Sequence, residues 1–331
     1  MLRRRSGVSA WIGLVLGCFL VNVALQTPVS AAATFPQKGK PIQMILGFAA
    51  GGSSDVGARL LARGMEKELG TSVVVVNKPG AGGQVGYTEL VRAKPDGYTI
   101  GNVNFPSAIS SYLDPARKAV FTKSSFQLLA LHVVDPGVIA VRAESRFKSV
   151  KDVIDAAKAA PLKVSITTTG IKTHEHFAIL KLQQMTGAQF AMVHFAQGSV
   201  PAIMAVLGGK IDVECDNVGD LLPHVQSGAM RILGVMDDEE SPFYPGVKTF
   251  AEQGYKLYSS SSRGFAAPQG TPKEVVQVLS QAIKKVVATE EHKKKMTEMG
   301  LTLRYMDTDQ FGKYWDENEK MLTELMPLAK D

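Results

Sequence analysis

Residues able to bind an anion recur in loops that follow the predicted strands of this sequence. Glycine leaves backbone N–H groups open to a ligand, serine and threonine add neutral hydroxyl donors, and the N–H groups at a helix start favour negative charge. Loops of this composition lie at Phe48–Asp55, Gly80–Gly83, Asn102–Ser107, Thr167–Thr173 and Gln197–Ser199. Because ligands of open α/β sheets bind at the carboxyl ends of strands, we expect these loops to hold a small carboxylate. The alternative is that each loop is only a helix cap, since the same residues start helices.

Motifs for nucleotide binding and for catalysis are missing from the sequence. The run Gly80–Val85 fails the dinucleotide fingerprint because it ends in valine, and no lysine follows Gly51 and Gly52 as it would in a phosphate loop. No serine occupies a Gly-x-Ser-x-Gly elbow. We therefore expect no cofactor and no enzymatic activity.

Cys215 and two histidines are the remaining candidates for chemistry. Cys215 lies in an apolar run, which favours a buried and inert thiol over a nucleophile. His174 and His176 flank Glu175, but ligands two positions apart on a helix point in different directions, and no further ligands are close in sequence. We expect no metal site.

The composition is that of a globular protein with a modest positive charge. Of the 331 residues 45% are hydrophobic and 21% are charged, and the formal net charge is +6. An arginine triplet at 3–5, the apolar stretch Trp11–Leu25 and the small residues Ala31–Ala33 predict a signal peptide at 1–33, hence an exported protein. Removing the three leader arginines leaves a charge of +3, which argues against nucleic acid as a partner.

Short β-like runs alternate with amphipathic segments, which predicts an α/β fold with largely parallel sheets. Strands are predicted at Ile42–Leu46, Val73–Val76, Tyr98–Val103, Leu128–Val134, Gly137–Val141, Val164–Thr168, Met192–Phe195, Val213–Cys215 and Arg231–Val235. Helices are predicted at Val150–Ala159, Glu175–Met185, Pro201–Leu207 and Leu221–Ser227. Thr271 with Glu274, and Asp307 with Gln310, predict capping boxes before two C-terminal helices, the last of which buries Phe311 and Trp315.

Short motifs follow one another in a fixed order along nearly the whole mature chain. They are Phe48–Asp55, Asn77–Gly83, Pro95–Thr99, His176–Ala178, Leu207–Asp212, Asp216–Asn217 and Ala267–Pro272. Each motif alone is weak, but in this order they are specific. The sequence resembles the periplasmic solute receptors of tripartite tricarboxylate transporters, also called Bug receptors.

The resemblance implies a type II periplasmic-binding-protein-like fold, in which two α/β lobes enclose a ligand cleft. Lobe 1 would comprise 34–135 and 245–331, and lobe 2 would comprise 136–244. The resemblance further implies a periplasmic receptor that captures a small organic carboxylate and delivers it to the membrane carrier subunits of a tripartite transporter. We also expect the protein to be a monomer.

The resemblance also transfers site residues by position. It implies ligand contacts from Ala49, Ser53, Ser54 and Asp55 in lobe 1, and from Thr167, Thr168, Thr169, Gly198, Asp216 and Asn217 in lobe 2. From the glycine-rich loops we add Phe48, Gly51 and Asn104. Because one carboxylate repels another, we favour for Asp55 a role in bracing its own loop or holding water over direct ligand contact.

Two features of this sequence affect the expected chemical class of the ligand. Many family members have Tyr-Lys before a glycine-rich turn, whereas this chain has Phe195 and Ala196, which lack the hydroxyl and the charge. Arg263 has two interpretations, a second carboxylate clamp or an ion pair at the surface or between the lobes. We therefore expect an aromatic carboxylate or a dicarboxylate.

Two other functions remain open. A ligand sensor for a membrane signalling partner would use the same cleft. A secreted α/β hydrolase would use the loops as an oxyanion site, and it would need a nucleophile in contact with a base.

Overall fold

Aliphatic and β-branched runs form the strands, as their high propensity for pleated, buried positions predicts. The computed structural model describes residues 35–195 and 198–329. The predicted leader at 1–33, Ala196 and Gln197 therefore lie outside the described residues. The strands are β1 (Ile42–Leu46), β2 (Val73–Asn77), β3 (Thr99–Phe105), β4 (Phe126–Arg142), β5 (Ser165–Thr168), β6 (Ala191–His194), β7 (Glu214–Asn217), β8 (Met230–Val235), β9 (Ser260–Pro268) and β10 (Leu303–Met306).

Helices separate most of these strands. They are α1 (Ser53–Leu69), α2 (Gln84–Arg92), α3 (Ser107–Leu113), α4 (Val150–Ala159), α5 (His174–Thr186), α6 (Ser199–Leu207), α7 (Val218–Gln226), α8 (Lys273–Ala288), α9 (Glu290–Glu298) and α10 (Thr308–Leu325). Among the described helices, none combines the length and the apolar character needed to cross a bilayer.

Strand β4 is shared by two groups of strands. Its first part, Phe126–Pro136, pairs with β9 and β10, and its last part, Gly137–Arg142, pairs with β7 and β8; all of these pairings are antiparallel. The first group continues in the order β10-β4-β9-β3-β1-β2, in which β1 is parallel to β2 and β3. The prediction of largely parallel sheets is therefore wrong around β4, because the C-terminal strands enter the sheet in the opposite direction.

The two strands predicted at 128–134 and 137–141 are one continuous strand. Pro136 has no N–H to donate, but it is the last β4 residue paired with β9, opposite Ser260. The missing donor is tolerated at the end of that ladder. The predicted lobe boundary between 135 and 136 thus lies where β4 passes from one group of strands to the other.

Apolar side chains form separate cores on the two sides of this point. In the first group, Met44 and Leu46 of β1 pack with Leu61 and Ile283 of the flanking helices. In the second group, alternate residues of β4 face opposite cores: Ile139 and Val141 on one side, Val138 and Ala140 on the other.

The chain returns to the first group of strands later in the sequence than predicted. The boundary at 245 is too early, because Phe250 and Leu257 pack in the same core as Ile139. Phe250 N–H also donates to Val235 O at 2.8 Å, so this segment is fixed to β8. The chain re-enters the first sheet only at Ser260. Hereafter the first group means 35–136 and 260–329, and the second group means 137–259.

One predicted capping box is confirmed and the other is wrong. Asp307 accepts the N–H of Gln310 at 2.9 Å, and the Gln310 side chain bonds back to Asp307. The Thr271 hydroxyl instead donates to Pro268 O at 2.7 Å, and α8 begins without a side-chain cap. The threonine closes the turn after β9, so it is not available to the helix.

A buried histidine pair connects β4 to α9. Nε2 of His132 lies 2.9 Å from Nε2 of His292, and the two residues are 1% and 3% exposed. Burial lowers the pKa of His132 well below its usual value, with a further contribution from the neighbouring His292. Burial also lowers the pKa of His292 to about 4. The pair is therefore neutral at physiological pH.

This pair should make the free energy of unfolding depend on pH. Unfolded histidine takes up a proton near pH 6.5, whereas folded His292 does so only near pH 4, so between these values acid favours the unfolded chain. Replacing both residues (H132Q/H292Q) should reduce the loss of stability between pH 7.5 and pH 5 by at least about 2 kcal/mol, which is the share of His292 alone, measured by urea unfolding. The control H224Q, on α7, should keep the wild-type loss. An unchanged pH dependence in H132Q/H292Q would contradict this assignment.

Candidate functional site

Several helices that follow loops at strand ends begin without side-chain caps. This holds for α1, α2, α5, α6 and α7, which begin after Gly52, Gly83, Thr173, Gly198 and Asn217. Of the other helices, α3 and α8 also begin without a side-chain cap, whereas α4, α9 and α10 are capped by Ser149, Thr289 and Asp307. Since the first N–H groups of a helix have no intrahelical acceptor, an uncapped helix start offers donors to an anion unless another side chain takes them, as Asp135 does at Gly219 of α7.

Glycines set the position of the loop that follows β1. A Cβ on Gly86 would lie 2.6 Å from the Cα of Gly47, and a Cβ on Gly47 would lie 2.7 Å from the Cα of Gly83. These backbones can approach only because all three positions lack a side chain. The contact holds the start of the β1–α1 loop against the start of α2.

Asp55 braces the β1–α1 loop, as one sequence interpretation predicted. Its Oδ2 accepts Gly51 N–H at 3.0 Å and Arg59 Nε at 2.9 Å, and its Oδ1 accepts Asn77 Nδ2 at 2.9 Å. Asn77 Nδ2 also donates to Phe48 O at 3.0 Å. Burial acts to raise the pKa of Asp55, but these hydrogen bonds outweigh it and leave the pKa below its usual value.

A network of polar side chains joins the first group to the second. Arg263 Nη2 donates to Asp135 Oδ2 at 3.0 Å and to Ser53 Oγ at 2.9 Å. Ser53 Oγ in turn donates to Asp220 Oδ2 at 3.2 Å, and Asn217 Nδ2 donates to the same oxygen at 3.3 Å. The N-termini of α1 and α7 therefore meet at Ser53 and Asp220. We call these five residues the junction network.

Asp135 makes contacts in both groups of strands. It is 0% exposed at the point where β4 leaves the first sheet, and its Oδ1 accepts Gly219 N–H from the first turn of α7 at 3.3 Å. Arg263, its ion-pair partner, is 3% exposed. Of the two interpretations of Arg263, the ion pair is therefore present, but it is buried rather than at the surface.

Several buried polar atoms in and beside the network have no hydrogen-bond partner among the described residues. They are Nε and Nη1 of Arg263, Oδ1 of Asn217 and Oδ1 of Asn104. Asn104 adjoins the network through Ser54, since its Nδ2 donates to Ser54 Oγ at 3.0 Å. Unpartnered buried polar atoms are costly, so a ligand or a bound water is expected to complete their bonding.

Burial changes the acidity of the carboxyl groups nearby. It raises the pKa of Asp135 to about 6, although the Arg263 guanidinium opposes the rise. It also raises the pKa of Asp216 well above its usual value, and the carboxyls of Asp220 and Glu214 add to that rise. Burial raises the pKa of Glu214 in the same way. These shifts favour the neutral forms of Asp216 and Glu214.

The threonines predicted to contact ligand use their hydroxyls for internal bonds. Thr167 Oγ1 accepts Cys215 N–H at 3.0 Å, and Thr168 Oγ1 lies 2.6 Å from Nδ1 of His194. Thr169 Oγ1 donates to Glu175 Oε1 at 2.7 Å. Their ligand roles remain predictions, and these contacts show that they hold the strand ends and loop of the second group.

The remaining predicted residues occupy loop positions. Ala49 and Gly51 are exposed, and Phe48 is half-buried against the first core. Gly198 precedes α6, and its N–H donates to Phe195 O at 2.9 Å. Asp216 is fully buried, and its Oδ1 accepts the N–H of Asn217 at 2.8 Å.

Asp135 and Asp220 belong to the junction network but are not among the site residues predicted from the sequence. In the sequence prediction Asp135 is only the last residue of the first segment of lobe 1. Asp220 lies four positions after Asp216, in the first turn of the helix that follows a strand, and this position was a usable signal. The partners of both residues are far away in sequence, so spacing alone did not reveal them.

Other candidate chemistry lies apart from the network. In 35–195 and 198–329, no cluster of histidine, cysteine and acidic side chains is arranged to hold a metal. Cys215 is fully buried, and burial raises the pKa of its thiol well above the usual value. A groove of about 650 Å³ lies elsewhere, between Tyr112, Thr122, Gln269 and Glu319.

Removing one partner of the Asp135–Arg263 pair should be more harmful than removing both charges. R263Q leaves a buried carboxylate unpaired and should lower the free energy of unfolding by about 3–5 kcal/mol. D135N/R263Q, which leaves no buried charge, should recover most of that loss. Urea unfolding of both variants, with R304Q at a half-exposed surface position as control, measures the difference. Additive losses in D135N/R263Q would contradict the pairing.

The family comparison matches most of the chain. Residues 57–327 match the model of the tripartite tricarboxylate transporter family receptor. A UPF0065 protein encoded in the gbd 5′ region of Cupriavidus necator is 30% identical over 326 residues, covering 96% of each chain. Protein BugT of Bordetella pertussis is 34% identical over 275 residues, covering 81% of this chain and 82% of BugT.

Solved structures share the fold. The periplasmic binding protein BugD has a TM-score of 0.77 at 29% identity, covering 87% of this chain and 97% of BugD. A protein of R. palustris solved with adipate has a TM-score of 0.82 at 21% identity, covering 89% and 98%. MatC of Rhodopseudomonas palustris, solved with malate, has a TM-score of 0.78 at 23% identity, covering 88% and 99%. These matches confirm the predicted periplasmic-binding-protein fold, and the chain belongs to the tripartite tricarboxylate transporter receptor family.

Proposed function

We propose that this protein is a periplasmic receptor that captures a small organic carboxylate at the junction network and delivers it to the carrier subunits of a tripartite transporter. The observation that supports this most directly is the buried Arg263, with unpartnered N–H groups, beside the uncapped N-terminus of α1. A carboxylate ligand would accept from both. The proposal extends to the chain what the family description and the solved adipate and malate complexes state for relatives.

In this proposal the two groups act as lobes that close on the ligand. Ser53 belongs to the first group and Asp220 to the second, and their side chains touch at 3.2 Å. A ligand between them would replace this contact and stabilise the closed form, which shifts an existing equilibrium between open and closed states.

The hydrogen-bond donors of the proposed site are sufficient for the affinity expected of a receptor. A dissociation constant of about 1 μM corresponds to roughly −8 kcal/mol. Charge-assisted hydrogen bonds contribute about 1.5–3 kcal/mol each before the entropy of binding is subtracted. Arg263 and the first N–H groups of α1 therefore account for a large share of the gross gain.

Binding without reaction fits the chemistry of the network better than hydrolysis. Ser53 Oγ is bonded to a guanidinium and a carboxylate, and neither is an imidazole base of the kind that activates a serine nucleophile. The thiol of Cys215 is buried with a raised pKa, which opposes formation of a thiolate. We therefore propose a receptor and not an enzyme.

Calorimetric titration with benzoate, malate and citrate tests the proposal. At least one of these carboxylates should bind, and S53A should weaken that binding about tenfold because it removes one hydroxyl donor. S280A, on α8, should bind as the wild type does. Proton NMR of the incubated mixture should show the carboxylate unchanged. Turnover, or equal affinity in S53A and wild type, would contradict the proposal.

A further inference from the structure

The two groups also touch through residues that are not part of the junction network. Asp114 follows α3 in the first group, and Lys172 lies in the loop before α5 in the second group. Their side chains form an ion pair, with Lys172 Nζ 2.7 Å from Asp114 Oδ2. The contact between 110–117 and 171–172 therefore joins the groups a second time.

The Asp114–Lys172 pair is buried. The two residues are 8% and 9% exposed. The hydrogen bond from Lys172 lowers the pKa of Asp114 below its usual value, although burial opposes this effect. A buried pair is screened by salt much less than a surface pair, and removing one partner leaves an unpaired charge away from water. The pair is therefore stronger than an ordinary surface ion pair.

Hydrogen bonds to backbone carbonyls connect the same two segments. Ser110 Oγ donates to Lys172 O at 3.2 Å, and Arg117 Nη2 donates to Ile171 O at 3.0 Å. Gln84 Nε2 donates to Arg117 O at 2.9 Å, which ties this part of the first group to the start of α2. Because hydrogen bonds are directional, these contacts hold the loop before α5 in one orientation against the first group.

The backbone of Lys172 is in a conformation that needs support. Its φ is 62°, in the left-handed region that residues with a Cβ seldom adopt. Such a conformation persists only where surrounding contacts hold it. The Lys172 N–H donates to Nδ1 of His176 at 2.9 Å, whereas its carbonyl and its ammonium are bonded to the first group. Two of these three contacts are therefore lost if the groups separate.

The covalent connections between the groups permit a rotation. Within the residues that the structure describes, the chain passes between the groups twice, after Pro136 and after Ser259. These passages lie side by side, because Pro136 is paired with Ser260 and Gly137 N–H donates to Ser259 O at 2.8 Å. Two adjacent connections act as a hinge. Neither Asp114 nor Lys172 lies on them, so a rotation of the groups displaces the pair.

Apolar packing accompanies the ion pair. Phe177 of α5 is 4% exposed and packs in the same core as Phe105 and Trp315 of the first group. The hydrophobic effect is not directional, so this packing favours contact between the groups without fixing the angle between them. The ion pair and the hydrogen bonds supply the direction.

We propose that the Asp114–Lys172 pair is a latch that holds the two groups in the closed arrangement and thereby sets how tightly the receptor retains its ligand. This rests on the proposed function, because the two groups are taken to act as lobes. The apparent dissociation constant equals the intrinsic constant divided by the fraction of protein in the binding-competent form. A protein without the latch populates the closed form less and binds its ligand more weakly.

Small-angle X-ray scattering of the unliganded protein and calorimetric titration test the latch. K172M keeps the length of the side chain but removes the ammonium, D114N keeps the shape of the carboxyl but removes its charge, and D114N/K172M leaves neither partner charged. Each variant should have a larger radius of gyration than the wild type. Each should also bind about tenfold more weakly whichever of benzoate, malate and citrate the wild type binds, and the losses should not add in D114N/K172M.

A matched control removes an ion pair that does not join the groups. Lys285 of α8 pairs with Glu68 of α1 at 3.2 Å, and both residues belong to the first group. K285Q should keep the wild-type radius of gyration and affinity. Because D114N/K172M leaves no charged partner without its counterion, it carries the test where a single variant does not fold.

The outcomes separate the latch from the proposed function. If the variants keep the wild-type radius of gyration or affinity, or if the losses of K172M and D114N add in full, the latch is wrong while carboxylate capture stands. Tighter binding by D114N would mean that the freed Lys172 contacts the ligand directly, which also overturns the latch. If the wild type binds no carboxylate but the radius of gyration increases in the variants, the pair holds the groups together and the proposed function is wrong.

Discussion

The buried ion pair between Asp135 and Arg263 is the constraint on which the site depends. Taking two charges out of water costs several kcal/mol each, so the pair persists only where its geometry and additional hydrogen bonds compensate. Here β4 and β9 run side by side and place the two residues in contact at the point where β4 leaves the first sheet. The same pair bonds Ser53 of α1 and Gly219 of α7. One interaction therefore fixes the sheet, two helix starts and the junction between the groups.

Opposing electrostatic effects meet at this junction. The uncapped start of α1 favours an anion, whereas Asp135, Asp216 and Asp220 bring carboxyl groups to the same place. The structure reconciles them in two ways. Asp135 is paired with a guanidinium and accepts an α7 N–H, and burial favours the neutral form of Asp216. Asp220 accepts hydrogen bonds from the neutral groups Ser53 Oγ and Asn217 Nδ2.

Structural features that depend on neighbouring residues in the sequence were predicted well. The capping box of Asp307 and Gln310 and the bounds of α4 follow from residues within one helical turn. Thr271 shows the limit: its hydroxyl oxygen could have accepted an N–H at the start of α8, but the hydroxyl instead donates to Pro268 O in the turn after β9. The threonines of 167–169 show the same limit, because hydroxyls placed at a strand end can serve the loop itself as well as a ligand.

The sequence by itself determined the fold class, the family and the loops at the strand ends, because periodicity, turn residues and short motifs act over a few positions. It did not determine which of those loops meet. Asp135 and Arg263 are 128 positions apart, and Ser53 and Asp220 are 167 apart. Their contacts depend on the antiparallel register of β4 with β9 and on the position of α7 beside β4. Such long-range pairing is decided by the packing of whole strands and helices, so only the tertiary structure placed the buried pair and Asp220 together.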